Sequence, residues 1–385
     1  MSSRIEWVGR NCRLLAGIRA EFETRRPLAG LTIGTGIHLE PKTVALLLTL
    51  AAGGARVVAT GNLNSTQPDA VEHLRAHGVE VIGGPTTDAD EHDRNLRAVL
   101  AARPQLILDN GGDLFARYLE EPYDGLLGGT EETTSGRARL EPLRAALGRP
   151  VLVINDSPIK QFAENEHAVG QSVVESFLRI TNRITNGTRV TVLGYGACGR
   201  GVAACFRNAF ATVAVVDIDP VTSLRANLDG FAVPARDVAL GGADVVVTVT
   251  GAPDVVTEKD LDLLKDGAIL LNAGHFPTEI AVARIRQDAR VTGVEEVVDG
   301  VSTLRLVDGR QVHLLTGGHM VNLAGPRPLG NSIESMDLGF ALQARCLEAV
   351  ARGDVAPQSV VVPVPVAIDR QVAQAYLALH EPTAA

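Results

Sequence analysis

The stretch VLGYGACGRG, residues 192–201, sets Gly194, Gly196 and Gly199 in the spacing GxGxxG directly after the apolar run VTVL. Glycines at those positions allow a tight turn, close approach of the backbone to a pyrophosphate, and close packing of the following helix, whose first amides face the phosphates. Eighteen residues beyond Gly199 the next apolar run ends in Asp217. A carboxylate there accepts hydrogen bonds from both hydroxyls of an adenosine ribose and repels a 2′-phosphate, which predicts NAD rather than NADP as the cofactor. Asp219, just before Pro220, reads as a helix cap. Other chemistry gathers in ILDNGGDL, TEETTSG and INDSPIKQFAEN, which cluster acids, hydroxyls and one lysine in the first half of the chain. Solvated loops often have this composition, but three such clusters at strand ends of one sheet predict a polar cleft.

The elements that must carry these groups alternate. From residue 31, LTIGTGIH, RVVATG, VEVIGG and QLILDN read as strands ending near His38, Gly61, Gly84 and Asn110, with helical stretches such as PKTVALLLTLAAGGA between them. That alternation predicts a parallel sheet flanked by helices, with ligands at the carboxyl edge. A second βα series runs through TRVTVLGYG, TVAVVDIDP, ADVVVTVTGAP, GAILLNAGHF and ARVTGV. KQFAENEHAVGQSVVESFLRITNRI is predicted to be a helical connection or hinge between the series, and SIESMDLGFALQARCLEAVARG a further amphipathic helix.

Composition narrows the classes. The 385 residues include 36 basic and 45 acidic ones, net −9, without a basic block, so neither nucleic-acid binding nor membrane attachment is expected. The N-terminal stretch interrupts its apolar residues with charges, unlike a signal peptide. Four scattered cysteines fit a reducing, cytoplasmic setting, and nine histidines without metal spacing predict no metal site.

The ordered motifs GIHLEPKT, NSTQ, ILDNGGDL, GGTEETTSG, INDSPIKQFAEN, GYGACGRG, NAGHFPTEI and LLTGGHMVNLA resemble the adenosylhomocysteine hydrolase family over about nine tenths of the chain. The resemblance implies an α/β fold in which a Rossmann NAD-binding domain is inserted in a second α/β doubly wound substrate domain. The boundaries implied are 1–160 and 333–385 for the substrate domain and 161–332 for the NAD-binding domain with its hinge helix. It also implies a homo-oligomer, dimer or tetramer, a nucleoside substrate, and an NAD retained through the cycle. In the family the 3′ hydroxyl is oxidised, the ketone acidifies the 4′ carbon, the 5′ thiol leaves, water adds and the ketone is reduced again. Lys160 matches the family base for the 3′ hydroxyl, Glu164 the residue orienting it, Glu132 the ribose carboxylate, and His38 the proton handler near the 4′ and 5′ carbons. Asn155 and Asn165 match neighbouring amides, with Asn165 on the cofactor side. Thr133, Thr134 and Ser135 match hydroxyls that contact the NAD ribose. His275 matches the histidine near the nicotinamide, and Asn272 and Asn322 match cofactor-binding amides. Glu40, Lys42, Thr43 and Asn331 fall at substrate-binding positions.

Departures concentrate in the 5′ chemistry. Asn110 stands where the family has a second aspartate, and an amide cannot take a proton. Glu164 replaces an aspartate, and Lys42 a glutamate that contacts the base in many members. Gly330, Asn331 and Ser332 align with the Gly-His-Pro gate, and Gly317 and His319 with a Glu and an Arg. The end of the sequence, ALHEPTAA, lacks the C-terminal segment that covers a neighbour's NAD in the family. The favoured expectation is therefore an NAD-dependent enzyme that transiently oxidises a nucleoside 3′ hydroxyl and acts through the 3′-ketone, by epimerisation or elimination. A genuine adenosylhomocysteinase and a catalytically silent binding relative are the alternatives.

Overall fold

The computed structural model describes residues 3–380; the first two residues and 381–385, with most of the ALHEPTAA segment, lie outside the described residues. The chain divides into two units, each with its own sheet: Met1–Gln161 with Ile333–Ala385, and Phe162–Ser332.

The first unit is built on β1 (Thr32–Ile37), β2 (Arg56–Gly61), β3 (Glu80–Ile82), β4 (Leu106–Asp109), β5 (Gly128–Glu131) and β6 (Val151–Val153). They pair in parallel in the order β3-β2-β1-β4-β5-β6, and Val362–Pro363 adds a short strand beyond β6. This is the doubly wound order, and its direction reverses between β1 and β4. Continuous apolar strands such as LILD and VLV are buried on both faces, as a helix-covered parallel sheet requires. Pro41 opens the helix Pro41–Ala52, where its missing N–H loses no bond. The helix Arg13–Arg25 is capped from a distance: Cys12 supplies no side-chain cap, and Asp337 of the helix Ile333–Arg352 accepts from the amides of Leu14 (2.7 Å) and Leu15 (2.9 Å).

β5 was not legible as a strand, because GGTE has low β propensity. Its glycines have a packing reason. A Cβ on Gly129 would lie 1.8 Å from the carbonyl oxygen of Ile107 on β4, so a residue with a side chain does not fit.

The second unit carries β7 (Arg189–Leu193), β8 (Thr212–Val216), β9 (Val245–Thr248), β10 (Ala268–Asn272), β11 (Val291–Val298), β12 (Val301–Leu306) and β13 (Gln311–Leu315). Their order is β8-β7-β9-β10-β13-β12-β11, parallel as far as β13 and reversing between β7 and β9. The end of this series departs from expectation. ARVTGV does not start another parallel βα step; β11 and β12 form an antiparallel ribbon, and β12 runs antiparallel to β13. The connecting segment also differs. Lys160–Ala168 is a π-helix, followed by an α-helix only from Val169 to Thr181, so the i to i+5 winding turns by more than four residues and Glu164 falls short of a full turn from Lys160.

Among the described residues no helix is long and apolar enough to cross a membrane, and no group of His, Cys, Asp and Glu could hold a metal ion.

Candidate active site

In the first unit the polar groups collect at the carboxyl ends of β1, β4 and β5, flanking the point where the strand order reverses. His38 follows β1, and its Nδ1 lies 2.5 Å from the hydroxyl of Ser65. That hydroxyl also donates to the carbonyl of Asn62 (3.3 Å), just beyond β2. The Asn62 amide donates to Oδ1 of Asn110 (3.0 Å), and the Asn110 amide donates to Oε2 of Glu132 (2.9 Å). Glu132 closes the run with an ion pair to Nζ of Lys160 at 3.4 Å. Four of the residues expected to do chemistry are thus joined through Ser65 and Asn62. The motif NSTQ by itself gives neither residue a role; their position at the end of β2, beside the reversal point, is the signal that places them.

Asn110, Glu132 and Lys160 are each at most 5 % exposed, so these polar groups contact one another in a region from which water is largely excluded.

Glu40 and Lys42 form a buried ion pair at 2.8 Å near the start of the Pro41–Ala52 helix. Burial raises the Glu40 pKa, and the Lys42 charge and hydrogen bond oppose that rise. Thr43, expected to bind substrate, instead directs its hydroxyl to the carbonyl of His38 (2.6 Å), fixing the turn that carries the histidine. Asn155 accepts from the Thr134 hydroxyl (3.1 Å). Thr133 is the N-cap of the helix Thr134–Leu140: its hydroxyl accepts from the amide of Gly136 and donates to Glu131, with Ser135 3.1 Å away.

In the second unit the glycine-rich turn lies between β7 and the helix Ala197–Asn208. Gly194 has φ +102°, and a Cβ on it would come within 2.7 Å of the Val249 carbonyl oxygen at the end of β9. A Cβ on Gly199 would come within 2.1 Å of the Gly194 carbonyl oxygen. Beside Gly196, in contrast, a Cβ would meet nothing within 4 Å, so the turn is open there. Asp217 accepts from the amides of Tyr195 (2.7 Å) and Asp219 (2.9 Å), which aligns the acid with the turn. Asp219 caps the helix Pro220–Leu228, as its place before proline predicts.

Asn322 donates to the Ser172 hydroxyl (3.0 Å), while its buried Oδ1 has no hydrogen-bond partner among the described residues. An orphaned acceptor at this depth is costly unless a ligand donor meets it, and with the open turn at Gly196 it fits a bound dinucleotide. Asn331, expected at a substrate gate, accepts from Ser172 (3.1 Å) and lies 3.4 Å from the Asn322 amide. Asn272 differs from its expected role. It is fully buried and its amide donates to the carbonyls of Gly274, Phe276 and Gly318, while its oxygen accepts from Thr248 and Gly274. Those bonds use up its donors, so it ties down the loop that carries His275 and has no donor left to offer a cofactor. His275 is half-buried and packs edge-on against Phe276. Glu164 and Asn165 are buried on the π-helix.

Doubly wound sheets, a GxGxxG turn and an acid closing the next strand define a Rossmann-type, NAD-dependent enzyme. Comparison with known proteins agrees. Residues 3–124 match the family model described as S-adenosyl-L-homocysteine hydrolase, and residues 165–327 match the model for the NAD binding domain of that hydrolase. An adenosylhomocysteinase from Thermotoga maritima is 42% identical over 346 residues, covering 88% of this chain and 85% of that protein. An S-inosyl-L-homocysteine hydrolase from Methanothermobacter thermautotrophicus is 39% identical over 347 residues, covering 89% and 83%. An adenosylhomocysteinase from Thermococcus kodakarensis is 38% identical over 383 residues, covering 97% and 90%. The chain belongs to the S-adenosyl-L-homocysteine hydrolase family, and its cofactor is NAD.

Proposed function

We propose that this enzyme hydrolyses the thioether of an S-purine-nucleosyl-L-homocysteine, releasing homocysteine and the nucleoside, with NAD restored at the end of each cycle. The observation that carries the reading is Glu132, gripped by Lys160 on one side and Asn110 on the other at the reversal point of the first sheet. A carboxylate so held is pre-organised to receive the two hydroxyls of a ribose, and Lys160, in its neutral amine form, is the group that would take the 3′ hydroxyl proton. NAD, when bound, supplies the reversible oxidation at the 3′ carbon. The turn at Gly194, Gly196 and Gly199, the carboxylate of Asp217 and the free oxygen of Asn322 are the groups that would hold it.

His38, backed by Ser65, is the group placed to move protons at the 4′ and 5′ positions. Asn110 holds its neighbours by hydrogen bonds and leaves the proton traffic to His38. The Glu40–Lys42 pair offers a purine edge one donor and one acceptor, which matches adenine and hypoxanthine alike with the roles exchanged. Relatives named for either base accord with that.

A second reading is favoured by Asn110 itself. Without a carboxylate at that position the 3′-ketone is still accessible, and epimerisation or elimination of another group needs no 5′ thiol departure. One experiment separates the two. The holoenzyme is incubated with S-adenosyl- and S-inosyl-L-homocysteine, and free thiol, NADH absorbance and solvent deuterium in the sugar are followed. Thiol release on either substrate supports hydrolysis. Deuterium uptake with no thiol moves the assignment to sugar modification, and no change in any signal removes both. Sedimentation of the same sample tests the expected dimer or tetramer.

A further inference from the structure

Beneath the residues described above lie two carboxylates that the reaction does not use. Asp109 ends β4 and Glu131 ends β5; the two are aligned partners in adjacent parallel strands, so their side chains leave the same face of the sheet. Both are fully buried. Asp109 is met by backbone N–H donors, and Glu131 by N–H donors and one O–H. Asp109 accepts from the amides of Asn110 (3.0 Å), Leu114 (3.1 Å) and Phe115 (2.9 Å), all in the loop and helix start that follow its own strand. Glu131 reaches further. It accepts from the amide and hydroxyl of Thr133 in its own loop (2.7 and 2.8 Å), and from the amides of Gly111 (3.1 Å) and Gly112 (2.9 Å) in the loop after β4. Gly136 lacks a Cβ where one would fall 2.1 Å from the Glu131 carboxylate, so the first turn of the Thr134–Leu140 helix closes directly over it.

We propose that Glu131 is a positioning residue of the nucleoside cleft: one buried carboxylate cross-links the β4 and β5 loops beyond the strand ladder and thereby holds the turns that present Asn110 and Glu132 to each other. The inference rests on the reading that Asn110 and Glu132 face the nucleoside, and deepens it. The β4–β5 ladder, which runs on to the Glu132 amide on the Asp109 carbonyl (3.1 Å), holds the strand ends; beyond it the Glu131 bonds tie Gly111 and Gly112 to the Thr133 turn. Four donors converge on its two oxygens, and the ionised form meets them best, because protonation leaves the hydroxyl oxygen a weaker acceptor with one lone pair fewer. Burial and the nearby Asp109 charge raise the Glu131 pKa, while the bonds from Thr133 and Gly111 oppose the rise. The other charged groups around it are already paired: Asp113 with Arg117 and Arg139, Asp156 with Arg137, and Glu132 with Lys160. Burial raises the Asp109 pKa as well, to about 6, so the two carboxylates ionise in turn as pH rises, and loss of the Glu131 proton completes the cross-link.

The test is Glu131→Gln in the NAD-loaded full chain. Without nucleoside, hydrogen exchange at 110–115 is expected to speed up by about tenfold or more, since a glutamine oxygen in the place of Oε1 still serves Thr133 and Gly111 while its amide faces the Gly112 N–H. Exchange at Gly111 and Gly112 equal to that of the parent would overturn the proposal. Adenosine titrated into the same sample should bind about tenfold or more weakly. Its affinity for the parent should strengthen with pH, and for the variant the change should be smaller. Binding within about twofold of the parent, with the parent's pH profile, would also overturn it. If the parent binds neither adenosine nor inosine, the proposed function fails, while the exchange data still decide the cross-link. Should Glu131→Gln not fold, Glu131→Asp serves: its shorter carboxylate keeps Thr133 and loses Gly111 and Gly112, so only 110–115 should loosen, and uniform protection there sinks the idea.

Discussion

The side-chain amide of Asn110 donates to Oε2 of Glu132 at 2.9 Å, across two neighbouring strand ends and between two buried side chains. An aspartate in that place would face another carboxylate, so the asparagine removes a like-charge contact and supplies a donor. The residue that looked like a lost catalytic acid is therefore also a structural partner of Glu132.

Asn110→Asp tests this directly. Two carboxylates in contact cannot both ionise readily, so one of them takes up a proton that the other accepts. At pH 6 that shared proton replaces the amide donor and nucleoside binding is expected to stay near the parent value. At pH 8 the proton is lost, repulsion spreads the pair, and affinity is expected to fall about tenfold, as read by titration calorimetry at the two pH values.

Lys160 makes the other bond to Glu132. Lys160→Gln keeps a hydrogen-bond donor and removes the amine proposed to take the hydroxyl proton. NADH formation on adding adenosine is expected to drop by about 10²–10⁴ with NAD content unchanged. A rate within a few fold of the parent would show that another group takes that proton.

Asp217 anchors the glycine-rich turn through Tyr195 and the next helix through Asp219. Asp217→Ala is expected to lose NAD on gel filtration, with affinity down by about tenfold or more, since hydrogen bonds to a charged group contribute on the order of 1.5–3 kcal/mol. Absorbance of the released dinucleotide provides the measurement.

Asp337 gives a stability prediction with a sign. Burial raises its pKa to about 6, against about 3.9 in the unfolded chain. The folded state holds the proton more tightly, so this group's contribution is fully present below about pH 4 and declines as pH rises through about 6. Asp337→Asn keeps an acceptor for one of the two amides, loses the other at a cost that does not vary with pH, and removes the titration. Its denaturation midpoint should change less than the parent's between pH 4 and 6, where two pKa units correspond to on the order of 2–3 kcal/mol. Equal slopes would refute the assignment.

Local chemistry was legible wherever neighbouring residues carry it. The turn at Gly194, Gly196 and Gly199, the acid at Asp217, the cap at Asp219 and the helix opening at Pro41 follow from positions close in the chain, and so did the alternation of strand and helix in each series. The glycine strand β5 was hidden because its residue types answer to the backbone of β4 packed beside it, and the antiparallel ribbon of β11 and β12 because a single apolar run does not state its direction. The π-helical winding at Lys160 likewise has no period that a sequence pattern reveals.

What the sequence alone determined is the list of chemical groups and the order of the elements that bear them. Which groups meet was decided by the tertiary structure: the strand order sets β1 beside β4, the Asn62–Asn110 bond spans 48 positions and the Asn110–Glu132 bond 22. Sheet pairing is non-local, so the partner of a buried polar atom is fixed by which strands lie side by side, and only the folded chain supplies that.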